Sequence, residues 1–222
     1  MDRANVKEGV VEPAETKPSI RHFSLIRDFT VADFITLANA SSGMGSVLAV
    51  MQHLVTGESK YLWVAFALLP FALVFDYLDG RIARWRCMSS LLGTQLDSLS
   101  DLISFGVAPA SLAFAVGMRG GWDALVLLYF VACGVGRLAR YNATCADLSD
   151  ETGKVRYFEG TPIPTSLLLV AVLSVLTAYG YTLDRLPLGV WTLGPMQLHP
   201  LVLMYAVSGS AMISKTLRVP KI

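Results

Sequence analysis

Four aspartates, Asp76, Asp79, Asp97 and Asp101, fall within the stretch DYLDGRIARWRCMSSLLGTQLDSLSD. Asp76 and Asp79 are three residues apart and Asp97 and Asp101 are four apart, so on helices each pair shares one face. The short RWRCMSSLL connection lets those two helices pack as antiparallel neighbours, and the four carboxylates can then converge. Clustered carboxylates repel one another, and an ionised acid deep in an apolar setting is costly unless it is paired or faces a wet cavity. Divalent cations relieve both problems. A ligand set made only of carboxylate oxygens, without His or Cys, suits Mg²⁺, Mn²⁺ or Ca²⁺. The competing explanation is ion pairing with Arg81, Arg84 and Arg86 at the helix ends. It does not match all four, because Asp97 and Asp101 sit too far along the third helix, Asp101 about ten residues, or about 15 Å, into it.

The residues around the acids point further. Gly80 and Ala83 let a ligand or another helix approach the backbone closely. Gly93 lies four residues before Asp97 on the same face. Arg84 offers a planar fork suited to a phosphate. Carboxylate-held metals beside an arginine and glycines are equipment for metal-dependent phosphoryl chemistry at a membrane face.

The elements that must position these groups are hydrophobic. LWVAFALLPFALVF runs into the acidic stretch and LISFGVAPASLAFAV runs out of it. The 222 residues are 54% hydrophobic and 16% charged, with a mean hydropathy of +0.53. That composition predicts an all-α integral membrane protein with one membrane domain over 21–222. Six stretches approach the roughly 20 apolar residues a bilayer crossing needs: 33–54, 61–83, 91–116, 122–144, 163–182 and 197–214. In RHFSLIRDF, Phe23, Ile26 and Phe29 recur every three residues, which predicts a short amphipathic helix lying in the interface. Residues 1–20 read as a disordered tail without a signal peptide. The net charge of +1 implies no nucleic acid or other acidic polymer as partner. Cys87, Cys133 and Cys145 read as unpaired thiols. Lys60, Arg119 and Arg185 are the only basic residues on one side of the six-span arrangement, and the other 15 of 18 share the side of the termini. The positive-inside rule therefore places both termini and the acids in the cytosol. Pro109 is expected to kink the third span. His22, His53 and His199 are expected at the interface.

The acidic stretch also resembles a family signature. CDP-alcohol phosphotransferases carry Asp-x2-Asp-Gly-x2-Ala-Arg-x8-Gly-x3-Asp-x3-Asp, which Asp76, Asp79, Gly80, Ala83, Arg84, Gly93, Asp97 and Asp101 match at every spacing. The resemblance implies six transmembrane helices, a homodimer, and attack of an alcohol on a CDP-linked donor with loss of CMP. It implies two divalent ions, Mg²⁺ or Mn²⁺, held by the four aspartates, with Asp101 as general base. Gly80, Ala83, Arg84, Gly93 and Asn39 would then contact the CDP-diacylglycerol donor; for Asn39 a helix–helix hydrogen bond is an equal alternative. DSLSDLISFGVAPA, GRLARYN and YFEGTPIPT resemble the branch that uses L-serine as acceptor. The segments 21–43 and 199–222 are similar to its fungal-type eukaryotic form, which implies an endoplasmic reticulum membrane enzyme. The departures are conservative: Tyr141 where Phe is frequent, and Thr161 and Ile163 in the YFEGTPIPT stretch.

A serine acceptor brings a carboxylate that must be recognised beside an acidic site, and an arginine fork pairs with a carboxylate bidentately. Arg137, Arg140 and Tyr141 are spaced to cover adjoining surface and are the expected serine-binding group, with Arg137 the deeper arginine. Gly160, Pro162 and Pro164 are expected to shape the start of the fifth span, and Lys154 and Arg156 to obey the positive-inside rule. Another acceptor, glycerol 3-phosphate or inositol, would want a denser basic pocket. A divalent-cation carrier would need acids in the outer halves of the helices, where no relay is evident.

Overall fold

The structure is a computed structural model that describes residues 31–86, 91–148, 157–214 and 218–220. The expected tail at 1–20, the interfacial helix, Lys154 and Arg156 lie outside the described residues. Seven helices make the described bundle: α1 (Val31–Thr56), α2 (Ser59–Arg86), α3 (Leu91–Asp101), α4 (Ala108–Val116), α5 (Gly121–Leu148), α6 (Ser166–Ala178) and α7 (Leu203–Ile213). α3 and α4 are two halves of the expected third span, joined by a π-helical turn at Leu102–Val107. α1 runs along α2 and also covers α3, the π turn and α4; α5 packs on α7, and α4 on α6.

Among the described residues, four helical segments are long and apolar enough to cross a membrane: Val31–Thr56, Ser59–Ile82, Leu92–Val116 and Gly121–Ala143. The last two expected spans form as shorter apolar helices, Ile163–Ala178 and Pro200–Ile213. Gly180, at φ +77°, stops one. Pro200 starts the other, in the first turn of a 3₁₀ segment that leads into α7, where a missing N–H costs nothing. Between them a hairpin pairs β2 (Trp191–Leu193) with β3 (Met196–Leu198). The remaining pair joins β1 (Tyr157–Glu159) to β4 (Arg218–Pro220). Large apolar side chains such as Phe34, Met51, Phe71, Leu128 and Val207 are exposed, the arrangement expected where hydrocarbon is the solvent.

The π turn has a chemical cause. Pro109 lacks an N–H and its ring collides with the carbonyl four residues back in a regular helix. The chain widens instead, and the Ala108 N–H bonds the Ile103 carbonyl five residues back. The Pro109 carbonyl accepts a hydrogen bond from Tyr205 of α7 at 2.9 Å, and Tyr205 meets Phe130 of α5 edge-on at 5.1 Å. The expected kink at Pro109 is thus a pinned, widened turn. Opposite it, Gly43 of α1 lets the two backbones touch: a Cβ there would sit 2.7 Å from the Cα of Ser104. Ser104 Oγ donates to the Asn39 carbonyl at 2.9 Å. Ser46 Oγ ties α1 to α2 through the Ala65 carbonyl at 2.9 Å.

Candidate active site

Asp76 and Asp79 occupy the second half of α2, and Asp97 and Asp101 the second half of α3. The packing brings carboxylate oxygens of Asp76, Asp97 and Asp101 within 4.8 Å of one another. Asp79 lies about one turn further along α2, 4% exposed, and faces Thr36 and Asp33 of α1. Its Oδ2 is buried without a hydrogen-bond partner. Among the described residues, no ion pair joins any of the four to lysine or arginine. Three convergent carboxylates and a fourth with an orphaned buried oxygen fit a hard divalent cation, since an all-oxygen donor set of this kind otherwise leaves its charges uncompensated.

α1 supplies a polar face to this cluster. Asp33, Thr36 and Asn39 recur every three residues and all are buried. Asn39 Nδ2 donates to Asp101 Oδ1 at 3.3 Å, and Asn39 Oδ1 is buried without a partner. Asn39 is therefore placed at the acids, and its helix–helix hydrogen bond and an open acceptor coexist. Asp33 and Thr36 were not singled out by sequence reasoning. The signal was present in VADFITLAN, but a polar stripe on a first helix gains meaning only once its packing partner is known.

Gly80 lies at an open surface: a Cβ there would meet no protein atom within 4 Å. Packing inside the chain does not demand glycine at that position. Gly93 is half-buried on α3, four residues before Asp97. Ala83 and Arg84 fall on the last turn of α2, and their side chains lie outside the described residues.

The arginines on α5 separate. Arg137 has Asp101 and Tyr141 as the ionisable groups within electrostatic reach, and its Nε is buried without a partner. Arg140 instead donates to the Ile213 carbonyl at 3.3 and 3.4 Å, where it caps α7. Tyr141 is 43% exposed. Asn142, which sequence reasoning left without a role, bonds Ser98 Oγ at 3.0 Å and so fastens α5 to α3 between the two acids of that helix. Gly160 (φ +80°) presses on the end of α7, where a Cβ would lie 2.3 Å from the Met212 carbonyl. It shapes the start of α6, as expected for this group.

A second polar cluster lies at the far end of α5. Asp123 accepts from the Gly120 N–H at 2.8 Å and from the His199 N–H at 2.8 Å, and its Oδ2 meets His199 Nδ1 at 2.6 Å. His199, expected at the interface, is 6% exposed; a buried imidazole needs a partner, and Asp123 is it.

A helical membrane bundle with a carboxylate cluster at one end, and an arginine and an asparagine beside it, defines a membrane protein with an acidic polar site. Comparison with known proteins narrows the class. The profile of the CDP-alcohol phosphatidyltransferase family matches residues 29–208, and the chain belongs to that family. It is 43% identical over 203 residues to a CDP-diacylglycerol–serine O-phosphatidyltransferase of Saccharomyces cerevisiae, covering 90% of this chain and 74% of that protein. It is 32% identical to an enzyme of the same name from Methanocaldococcus jannaschii, over 71% of this chain and 67% of that one. An archaetidylserine synthase of Methanothermobacter thermautotrophicus is 35% identical over 63% of this chain and 55% of its own length.

Proposed function

We propose that this chain transfers the phosphatidyl group of CDP-diacylglycerol to L-serine and releases CMP. The observation that carries this reading is the convergence of Asp76, Asp97 and Asp101 in a chain 43% identical to a protein bearing that activity in its name. Asp76, Asp79, Asp97 and Asp101 would hold two divalent cations, Mg²⁺ or Mn²⁺, which supply charge stabilisation to a pyrophosphate and a departing nucleotide. Asp101 takes the proton of the serine hydroxyl as its oxygen bonds to the β-phosphorus, the one bearing diacylglycerol, and the bond from that phosphorus to CMP breaks. Asn39 orients the Asp101 carboxylate through its 3.3 Å hydrogen bond. Arg137 receives the serine carboxylate, because it is the arginine with an open donor near Asp101. Gly80, Ala83, Arg84 and Gly93 border the donor diphosphate, and the open space over Gly80 supports that side of the site.

The same reading makes the protein a homodimer in the endoplasmic reticulum membrane, crossing it six times with both termini and the site in the cytosol. The basic-residue asymmetry of the sequence supports that orientation. The deciding experiment measures CMP release by the purified protein with CDP-diacylglycerol and a panel of alcohols. Serine-dependent release is expected. Release with inositol or glycerol 3-phosphate but not serine would replace the acceptor, and no release with any alcohol would overturn the reaction.

A further inference from the structure

The segment leading into α6 is fixed at two levels, against the end of α7 and against α5. At one level, Thr161 N donates to the Ala211 carbonyl at 3.2 Å, Gly160 presses on Met212, and the next carbonyl, Ile213, is held by Arg140. At the other level, Ile163 Cδ1 lies 3.1 Å from where a Cβ on Gly134 would stand, with Leu102 Cδ1 at 3.8 Å. Arg137 lies midway between Gly134 and Arg140, about 4.5 Å along the helix from each. Thr161 falls in sequence between the contacts made by Gly160 and by Ile163, as Arg137 falls on α5 between Arg140 and Gly134. Leu102 places the neighbouring Asp101 at the same seam. Arg137 Nε and Thr161 Oγ1 are both buried without a hydrogen-bond partner, a state that costs about 1–3 kcal/mol for each group until something fills it.

A threonine hydroxyl, an arginine and an aspartate on neighbouring segments bring three different capacities. We propose that Thr161 is a positioning residue of the acceptor pocket, its Oγ1 accepting a hydrogen bond from the ammonium group of a free amino acid. This rests on the serine-accepting reading above. A free hydroxy amino acid brings three groups that need partners. Its hydroxyl gives a proton to Asp101, its carboxylate pairs with Arg137, and its ammonium requires an acceptor, which Thr161 provides. Acceptors without an ammonium gain nothing from Thr161, so the residue acts on acceptor choice.

The test uses the full-length protein in detergent and follows CMP release against L-serine, and against 3-hydroxypropanoate, which keeps the hydroxyl and carboxylate but lacks the ammonium. Thr161→Val keeps the shape and removes the hydroxyl. A rise in the KM for serine of about tenfold or more is expected, the loss of one hydrogen bond to a charged group, with the KM for CDP-diacylglycerol and the response to 3-hydroxypropanoate unchanged. Thr161→Ser should restore the wild-type value. An unchanged serine KM in Thr161→Val, or equal losses with both acceptors, would overturn the assignment. Should the valine variant not accumulate, Thr161→Ala against Thr161→Ser is read by the same criteria. Failure of the wild type to use serine at all counts against the proposed reaction, a separate result from indifference to position 161.

Discussion

Asp101 joins several groups of the site: it meets Asp76 and Asp97 in the carboxylate cluster, accepts from Asn39 and lies within reach of Arg137. A base so placed can take a proton from an alcohol held between it and the arginine. Asp101→Asn is expected to lower CMP release by at least the 10²- to about 10⁴-fold typical of a lost general base, while CDP-diacylglycerol binding, measured at equilibrium, stays within a few-fold. Activity within about tenfold of wild type would remove the assignment. Arg137→Lys trades a planar fork for a point charge. It should raise the KM for serine by about tenfold or more and leave the KM for the donor in place. Arg140→Lys should act on the stability of the α7 end, whose last carbonyl Arg140 holds; the two variants are separated by comparing serine kinetics with thermal unfolding. The roles of these arginines were not separable in the sequence. GRLARYN sets them three apart on one side of a helix, and only the position of Ile213 shows which of the two is already engaged.

At the scale of elements, two glycines make opposite demands. Gly43→Ala would drive a Cβ to 2.4 Å from Ser104 Oγ and 2.7 Å from its Cα. α1 must then lift off the π turn, at a cost of about 1–3 kcal/mol for an overpacked contact, and Asn39 moves with it. A lower unfolding temperature and reduced turnover together are expected. Gly80 has nothing within 4 Å of the equivalent position. Gly80→Val should leave thermal stability close to wild type and abolish donor binding by bulk alone; full activity in that variant would clear the donor from this surface. The pairing of acids three and four residues apart was legible because helical periodicity dictates it. The buried stripe Asp33, Thr36 and Asn39 was not, since periodicity names a face without naming what it meets. The hairpin Trp191–Leu198 was also missed, because strands of three residues carry too little pattern to outweigh their Gly and Pro neighbours.

For the molecule as a whole, hydropathy announced a membrane bundle, and four of the six expected stretches are helices of spanning length and character. The last two are cut short where local rules override apolar content: a left-handed glycine after one and Pro200 before the other. Such punctuation is visible in the sequence, but its weight against a hydrophobic run depends on the packing of the hairpin and His199 beneath. The Asp123–His199 pair locks that far end, remote from the acids by about 21 Å of helix between residues 123 and 137. At the other end, no ion pair among the described residues joins the four carboxylates to lysine or arginine. Chelation with excess EDTA is expected to abolish CMP release, and Mg²⁺ or Mn²⁺ to restore it; activity that survives chelation would refute cation dependence. In sealed microsomes, a tag at either terminus should be open to protease from outside; protection of both would reverse the proposed orientation, and protection of one alone would overturn the six crossings.

The widened turn at Leu102–Val107 also sets a phase. A regular helix advances about 100° per residue, so taking up an additional residue in one turn rotates everything before it relative to everything after. The third span is therefore two helices out of phase. α4 is clamped by Leu112, Ala113 and Val116, all essentially buried, and by Tyr205 on the Pro109 carbonyl. α3 is tied by Asn142 to Ser98 and by Asn39 to Asp101, bonds that a change of phase would strain. Any change that lets the span relax to a continuous α-helix would leave the packing of α4 untouched and swing Asp97 and Asp101 around the axis, away from Asp76. The direction in which the acids point is thus fixed by a proline eight residues beyond the last of them.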